Sequence, residues 1–173
     1  MVTPVWQVVG YQNSGKTVFI LSMVSYLKSI GVHTAVLKHH GHGGTPDPAV
    51  MKDSDKYFKA GADAALVEGE GVIHLQGRME ENFLSKSLAI LMAFETDVIL
   101  LEGYKKEPYP KIVMIRKEAD LSLLEEVTNC QAVILWPGVA LRDRIIHLNL
   151  PIFSLGDNQR IFEWMVDELG INH

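Results

Sequence analysis

A lysine and a hydroxyl at the start of a helix, with glycines at fixed distances before them, can grip a chain of phosphates. Gly10-Tyr11-Gln12-Asn13-Ser14-Gly15-Lys16-Thr17 has this form, fitting G-x-x-x-x-G-K-[ST]. At ordinary glycine, lysine and serine/threonine usage, chance produces the pattern roughly once in 200 chains of this size. Gly10 and Gly15 let the backbone curl so that successive N–H groups point at phosphate oxygens, and the helix that follows adds its partial positive charge there. Lys16 is placed to reach the β- and γ-phosphates, and the Thr17 hydroxyl to ligate Mg²⁺. Gln12, Asn13 and Ser14 contribute the loop backbone between the glycines. A glycine turn with a surface lysine is the plain alternative.

Two further segments carry chemistry. Glu102 ends the apolar run Val98-Ile99-Leu100-Leu101, and the carboxyl ends of parallel strands are where functional groups collect. An acid there can hold Mg²⁺, directly or through water, or orient an attacking water; a solvated strand-end carboxylate is the alternative. Asp97 lies at the other end of the same run. Lys38-His39-His40-Gly41-His42-Gly43-Gly44 follows a second strand, and Lys38, His39 and His42 are candidates for binding phosphates or another anion. Zinc fits this loop poorly, because structural zinc sites add cysteines and the chain has only Cys130. Asp53 and Asp55 read as helix caps or as water-mediated Mg²⁺ contacts. His74 and His147 sit in apolar stretches and read as core-edge residues. Arg142 and Arg144 are spaced like part of a kinase lid, although surface ion pairing is the simpler reading. Trp136-Pro137 and Leu155-Gly156-Asp157 follow late strands, where nucleobase contacts usually lie, yet no N-K-x-D guanine signature is present.

The elements that must position these groups alternate between strand and helix, which predicts a P-loop-type α/β fold, a mostly parallel sheet with helices on both faces. Strands are expected at Val5–Val9, Thr34–Leu37, Val98–Leu101, Lys111–Ile115, Ala132–Leu135 and Pro151–Ser154. A helix from Val18 to Ile30 should stop at Gly31, and a short one from Asp53 to Ala60 at Gly61. Ala64–Val67 and Val72–Leu75 flank Gly69-Glu70-Gly71 and read as a β-hairpin, or as two strands parted by an irregular loop. Leu84, Leu88 and Leu91 mark the buried face of a helix from Glu80 to about Phe94, with Glu80 and Glu81 in its first turn. The last helix begins near Asp157 or Asn158 and carries Ile161, Phe162, Met165 and Leu169.

The 173 residues suit one domain spanning 1–173, with a small hairpin insertion near 64–77. A net charge of −5 argues against non-specific binding to nucleic acid or to an anionic membrane. No apolar run is long enough to span a bilayer, and strand and phosphate loop take the place of a leader at the N-terminus. Cys130 allows no internal disulfide and reads as a buried, inert thiol. A soluble cytoplasmic protein is expected.

Assembled, these segments resemble the molybdopterin-guanine dinucleotide biosynthesis protein B (MobB) family. The resemblance rests on Gly10–Thr17, on Lys38-His39-His40-Gly41-His42, on Asp53 through Ala62, on Asp97 through Lys105, and on Pro110-Lys111-Ile112. It implies a homodimeric GTP-binding protein with weak GTPase activity that assists molybdenum cofactor maturation, in which GMP joins molybdopterin. The transfer itself would belong to a partner molybdopterin guanylyltransferase. By matching position, Gly10–Thr17 would hold the triphosphate, Glu102 would serve the Mg²⁺ side, and the 38–42 loop would lie near the nucleotide or a partner ligand. Tyr11 stands where some dimeric relatives of this branch carry a second, signature lysine, which puts their cross-dimer mechanism in question here. An ATP-dependent small-molecule kinase or ligase is the competing reading, and a nucleotide sensor without meaningful hydrolysis a third.

Overall fold

The computed structural model describes residues 3–39 and 54–171, so His40, His42 and Asp53 lie outside the described residues, as does the Asp55 side chain. Six strands form one sheet: β1 (Val5–Val9), β2 (Thr34–Lys38), β5 (Val98–Glu102), β6 (Lys111–Ile115), β7 (Cys130–Leu135) and β8 (Ile152–Ser154). Their order is β2-β5-β1-β6-β7-β8, and every neighbouring pair runs parallel. Strands buried on both faces read as continuous apolar runs, and every residue of β5 and β6 is buried.

Side-chain alternation along the strands sorts the core into two layers. Trp6, Val8, Val98, Leu100, Ile112, Met114 and Ile134 pack with α1 (Lys16–Ser29) and α6 (Asn158–Leu169). Val9, Val113, Ile115, Val133 and Leu135 face the other way, toward Leu123 of α4 (Ser122–Glu126) and Ile145 of α5 (Arg142–Ile145). Helices α4 and α5 and the 3₁₀ turns at Glu118–Leu121 and Ile146–Leu148 lack a long apolar period and are not apparent from the sequence. No described helix is long and apolar enough to cross a membrane.

The chain divides into two compact units, residues 1–39 with 88–173, and residues 40–87. The smaller holds α2 (Ser54–Lys59) and an antiparallel pair, β3 (Ala64–Gly69) with β4 (Val72–Gly77). Glu70 and Gly71 form its two-residue turn, both at positive φ (52° and 78°), the geometry that matches strand twist in a hairpin. The hairpin alternative of the sequence reading is therefore the observed one. Within this unit the Arg78 guanidinium lies 3.9 Å from the centre of the Phe58 ring.

Three expectations need correction. Helix α3 runs Phe83–Met92, so Glu80 and Glu81 precede it rather than filling its first turn. Asn82, at φ 54°, turns the chain out of helical geometry and accepts bonds from Lys86 N and the Ser85 hydroxyl. His74 is exposed: the hairpin buries only Ala65, and Leu66, Val67, Val72 and Leu75 lie open. His147 is exposed as well, carried on a short 3₁₀ turn.

Candidate functional site

Strand β1 delivers the chain to the carboxyl edge of the sheet beside β5 and β6. It connects to β2 on one side, while β5 connects to β6 on the other, so the edge around β1 is the point where connections diverge and ligands bind in open α/β sheets. The loop of residues 10–15 occupies that edge and α1 starts directly after it. Gly15 is the N-cap at φ 88°, and the first turn of α1 has neither a side-chain cap nor a carboxylate, which leaves its N–H groups for an incoming anion. Gly10 is required by space: a Cβ there would lie 2.4 Å from Ser14 Oγ and 3.0 Å from the Met114 carbonyl oxygen.

Two side chains from distant strands hold the loop's carbonyls. Trp136, just past β7, donates its indole Nε1–H to the Ser14 carbonyl at 2.9 Å. Arg116, just past β6, donates to the Asn13 carbonyl at 3.3 Å, and its guanidinium lies 4.9 Å from the centre of the Trp136 ring. The buried Asp120 carboxylate accepts the Arg116 and Lys117 backbone N–H groups and sets that turn. Arg116 and Trp136 thus hold two of the loop's carbonyls from the side, an arrangement compatible with its N–H groups facing an anion. Trp136 and Leu155 also come within 3.6 and 3.8 Å of the position a Gly15 Cβ would take, beside the loop as late-strand residues should be. A cleft of about 720 Å³ opens next to the loop, lined by Tyr11, Gln12, Arg116, Lys117, Ala119 and Asp120.

The charged groups converge on the other flank. Thr17 Oγ1 donates to Glu102 Oε1 at 2.8 Å, and Lys38 Nζ lies 3.2 Å from the former and 3.1 Å from the latter. Lys38 and Glu102 are direct register partners on β2 and β5, which places both at the same level of the edge. Lys16 Nζ bonds the carbonyls of Gly10 and Tyr11, each at 2.8 Å, and Ser14 Oγ at 3.4 Å. Burial holds the Lys16 ammonium below its ordinary pKa; Glu102 opposes that shift and Lys38 adds to it. His39 donates its backbone N–H to the Glu102 carbonyl at 3.0 Å, and its ring lies 4.7 Å from that of Tyr104. Gln7, fully buried in β1, donates to the carbonyls of Gly103 and Tyr104 and so supports the turn that follows Glu102.

Thr17 and Glu102 are compatible with a divalent ion. Two oxygens 2.8 Å apart suit adjacent corners of an octahedron with bonds of about 2.1 Å, and Mg²⁺ usually takes its other ligands from water and phosphate. Among the described residues no group of three or more His, Cys, Asp or Glu is placed to hold a metal.

The sequence-derived candidates Gly10, Gln12, Asn13, Ser14, Gly15, Lys16, Thr17, Lys38, His39 and Glu102 thus lie along one sheet edge. Others lie elsewhere. Asp97 accepts the His33 backbone N–H at the opposite end of β5. Arg144 pairs with Glu118, and Arg142 donates to the Ile152 carbonyl at 2.6 Å, so neither of these bonds reaches the phosphate loop. Tyr11 donates its hydroxyl to Glu126 at 2.7 Å, and Lys105 pairs with the same carboxylate. Arg116 and Gln7 were not apparent from the sequence; each acts through a backbone carbonyl, which leaves no motif.

Residues 5–136 match the family model described as MobB, molybdopterin guanine dinucleotide synthesis protein B. The chain is 43% identical over 155 residues to the probable molybdopterin-guanine dinucleotide biosynthesis adapter protein of Bacillus subtilis, covering 89% of this chain and 87% of that one. It is 31% identical over 126 residues to the corresponding adapter protein of Haemophilus influenzae, covering 70% and 68%. Among solved structures, Bacillus subtilis MobB aligns with TM-score 0.81 and 38% identity over 95% of this chain and 96% of that one. The Bacillus stearothermophilus homolog aligns with TM-score 0.75 and 33% identity over 97% and 99%. The hydrogenase maturation factor HypB of Archaeoglobus fulgidus shares the fold alone, with TM-score 0.51 and 14% identity over 94% of this chain and 86% of that one.

Proposed function

Because this chain belongs to the molybdopterin-guanine dinucleotide biosynthesis adapter protein family, we propose that it binds GTP with Mg²⁺, hydrolyses it slowly, and assists a partner molybdopterin guanylyltransferase in joining GMP to molybdopterin. The observation that carries this reading is the convergence of Lys16, Thr17, Lys38 and Glu102 on an open phosphate loop. Gly10 to Thr17 would supply backbone N–H groups to the phosphates. Lys16 would exchange its loop carbonyls for β- and γ-phosphate oxygens. Thr17 and Glu102 would hold Mg²⁺, which when bound neutralises phosphate charge.

Slow turnover suits the site, because Arg142 and Arg144 bond away from the loop and neither is placed as a finger for a transferring phosphoryl group. The protein would act in the cytoplasm and as a homodimer. The hairpin supports the latter, since Leu66, Val67, Val72 and Leu75 are all at least 43% exposed on a ribbon that has two strands among the described residues.

Calorimetric titration with GTP and ATP, each with Mg²⁺, tests the reading against a Lys16→Ala control. GTP binding that disappears in the variant, with ATP much weaker, is the expected result. Preference for ATP would favour the kinase or ligase class instead. Single-turnover hydrolysis with the purified transferase then separates an adaptor that hydrolyses from a sensor that only binds.

A further inference from the structure

Glu102 is a nearly buried carboxylate whose side chain is 9% exposed, and such a charge needs a cation close by. The loop lysine does not supply the contact, because Lys16 Nζ bonds Gly10, Tyr11 and Ser14. Lys38 does, from the neighbouring strand, with Nζ 3.1 Å from Glu102 Oε1 and 3.2 Å from Thr17 Oγ1. Those two oxygens, 2.8 Å apart, are the pair whose spacing suits adjacent ligands of a divalent ion. The ammonium therefore lies against the same two atoms a metal would use.

We propose that Lys38 is a built-in counter-cation that occupies the divalent-metal position and is displaced when the metal arrives with its nucleotide. This rests on the metal-nucleotide reading above and deepens it. The two partners differ in freedom as the exchange requires: the Lys38 side chain is 57% exposed and can swing outward, whereas Glu102 stays anchored in β5. The ammonium keeps Thr17 and Glu102 aligned, at the cost of competing with the metal for them. Metal affinity without nucleotide is therefore low by design, and nucleotide binding depends on metal less steeply than it would without Lys38.

The test uses Mn²⁺ alone as probe, with free ion counted by electron paramagnetic resonance, on the wild-type chain, Lys38→Met and Lys38→Arg, all checked for folding by circular dichroism. Lys38→Met should bind Mn²⁺ about tenfold more tightly, equivalent to ~1.4 kcal/mol, while Lys38→Arg stays weak like the wild type. Adding Glu102→Gln to Lys38→Met should remove the gain. Equal or weaker Mn²⁺ binding by Lys38→Met, or no measurable site in either protein, overturns the proposal. A second reading uses GDP affinity with Mg²⁺ and with a chelator: the ratio should be about tenfold larger in Lys38→Met. An unchanged ratio, with affinity lowered alike in both conditions, would make Lys38 a phosphate ligand only and overturn the counter-cation. Failure of any nucleotide to bind the wild type would sink the functional reading while leaving the Mn²⁺ comparison decisive.

Discussion

Strands β5 and β6 bury every residue they have, whereas the β3–β4 hairpin buries only Ala65. Both regions are apolar in sequence. The sheet satisfies its apolar surface within the chain, from helices on two faces, and so can hold Glu102 and the phosphate loop in fixed register. The hairpin leaves Leu66 opposite Leu75 in the open, 55% and 43% exposed, an apolar surface of the kind that marks interaction sites. One region positions the site; the other leaves its apolar side chains exposed.

The largest expected effect lies in the sheet. Leu100→Ala, at a fully buried position of β5, should lower stability by about 3–5 kcal/mol, measured by urea denaturation. Next comes the hairpin. Leu66→Lys combined with Leu75→Glu places opposite charges on facing strands, so the ribbon itself should survive with stability changed by under about 0.5 kcal/mol. Light scattering then tests the proposed homodimer, with dimer expected for the wild type and monomer for the double variant. If this pair unfolds the protein as Leu100→Ala does, the contrast between the regions is wrong.

A smaller effect sharpens how the sheet serves its loop. Trp136→Phe removes the bond to the Ser14 carbonyl while keeping an aromatic ring, and should weaken GTP binding by about fivefold, for a lost hydrogen bond of ~1 kcal/mol. Calorimetry reads this directly; unchanged affinity would mean that the loop holds its shape alone.

The smallest effect concerns Cys130 at the start of β7. Burial pushes its thiol from the ordinary 9.0 up to about 11. The folded pKa is raised, so the neutral thiol contributes stability that is whole below pH 9.0 and is lost as pH climbs toward about 11. Burial holds the neighbouring Lys111 ammonium below its usual pKa, with the opposite sign, so the comparison must be with Cys130→Ala rather than between pH values alone. Across that window the wild type should lose ground to the variant in denaturation midpoint. Alkylation of the native thiol at pH 8 should also be slow, since only about one thiol in a thousand is then ionised.

Much of the fold could be read along the chain because its signals are local. Apolar runs marked β1, β5 and β6, and the segment after the glycine loop marked α1. Gly31 and Gly170 stop their helices at positive φ. Where the reading failed, a local pattern met a non-local decision. Val72-Ile73-His74-Leu75 reads as a strand with His74 at the core edge, but in the two-stranded ribbon His74 is exposed. Glu80 and Glu81 suit a helix start, yet Asn82 at positive φ delays the helix to Phe83, three residues after Glu80.

The sequence by itself determined the glycine loop and the helix after it, because all eight residues of the Gly10–Thr17 pattern are contiguous. It also placed Lys38 and Glu102 directly after strands. Only the tertiary structure decided that these strands are neighbours, which brings Lys38 onto Glu102 and both onto Thr17, 85 residues before Glu102 in the chain. The Trp136 bond to the loop, across 122 residues, arises in the same way. Strand order is set by which apolar faces pack best together, a global choice, and the side chains at the strand ends meet as its consequence.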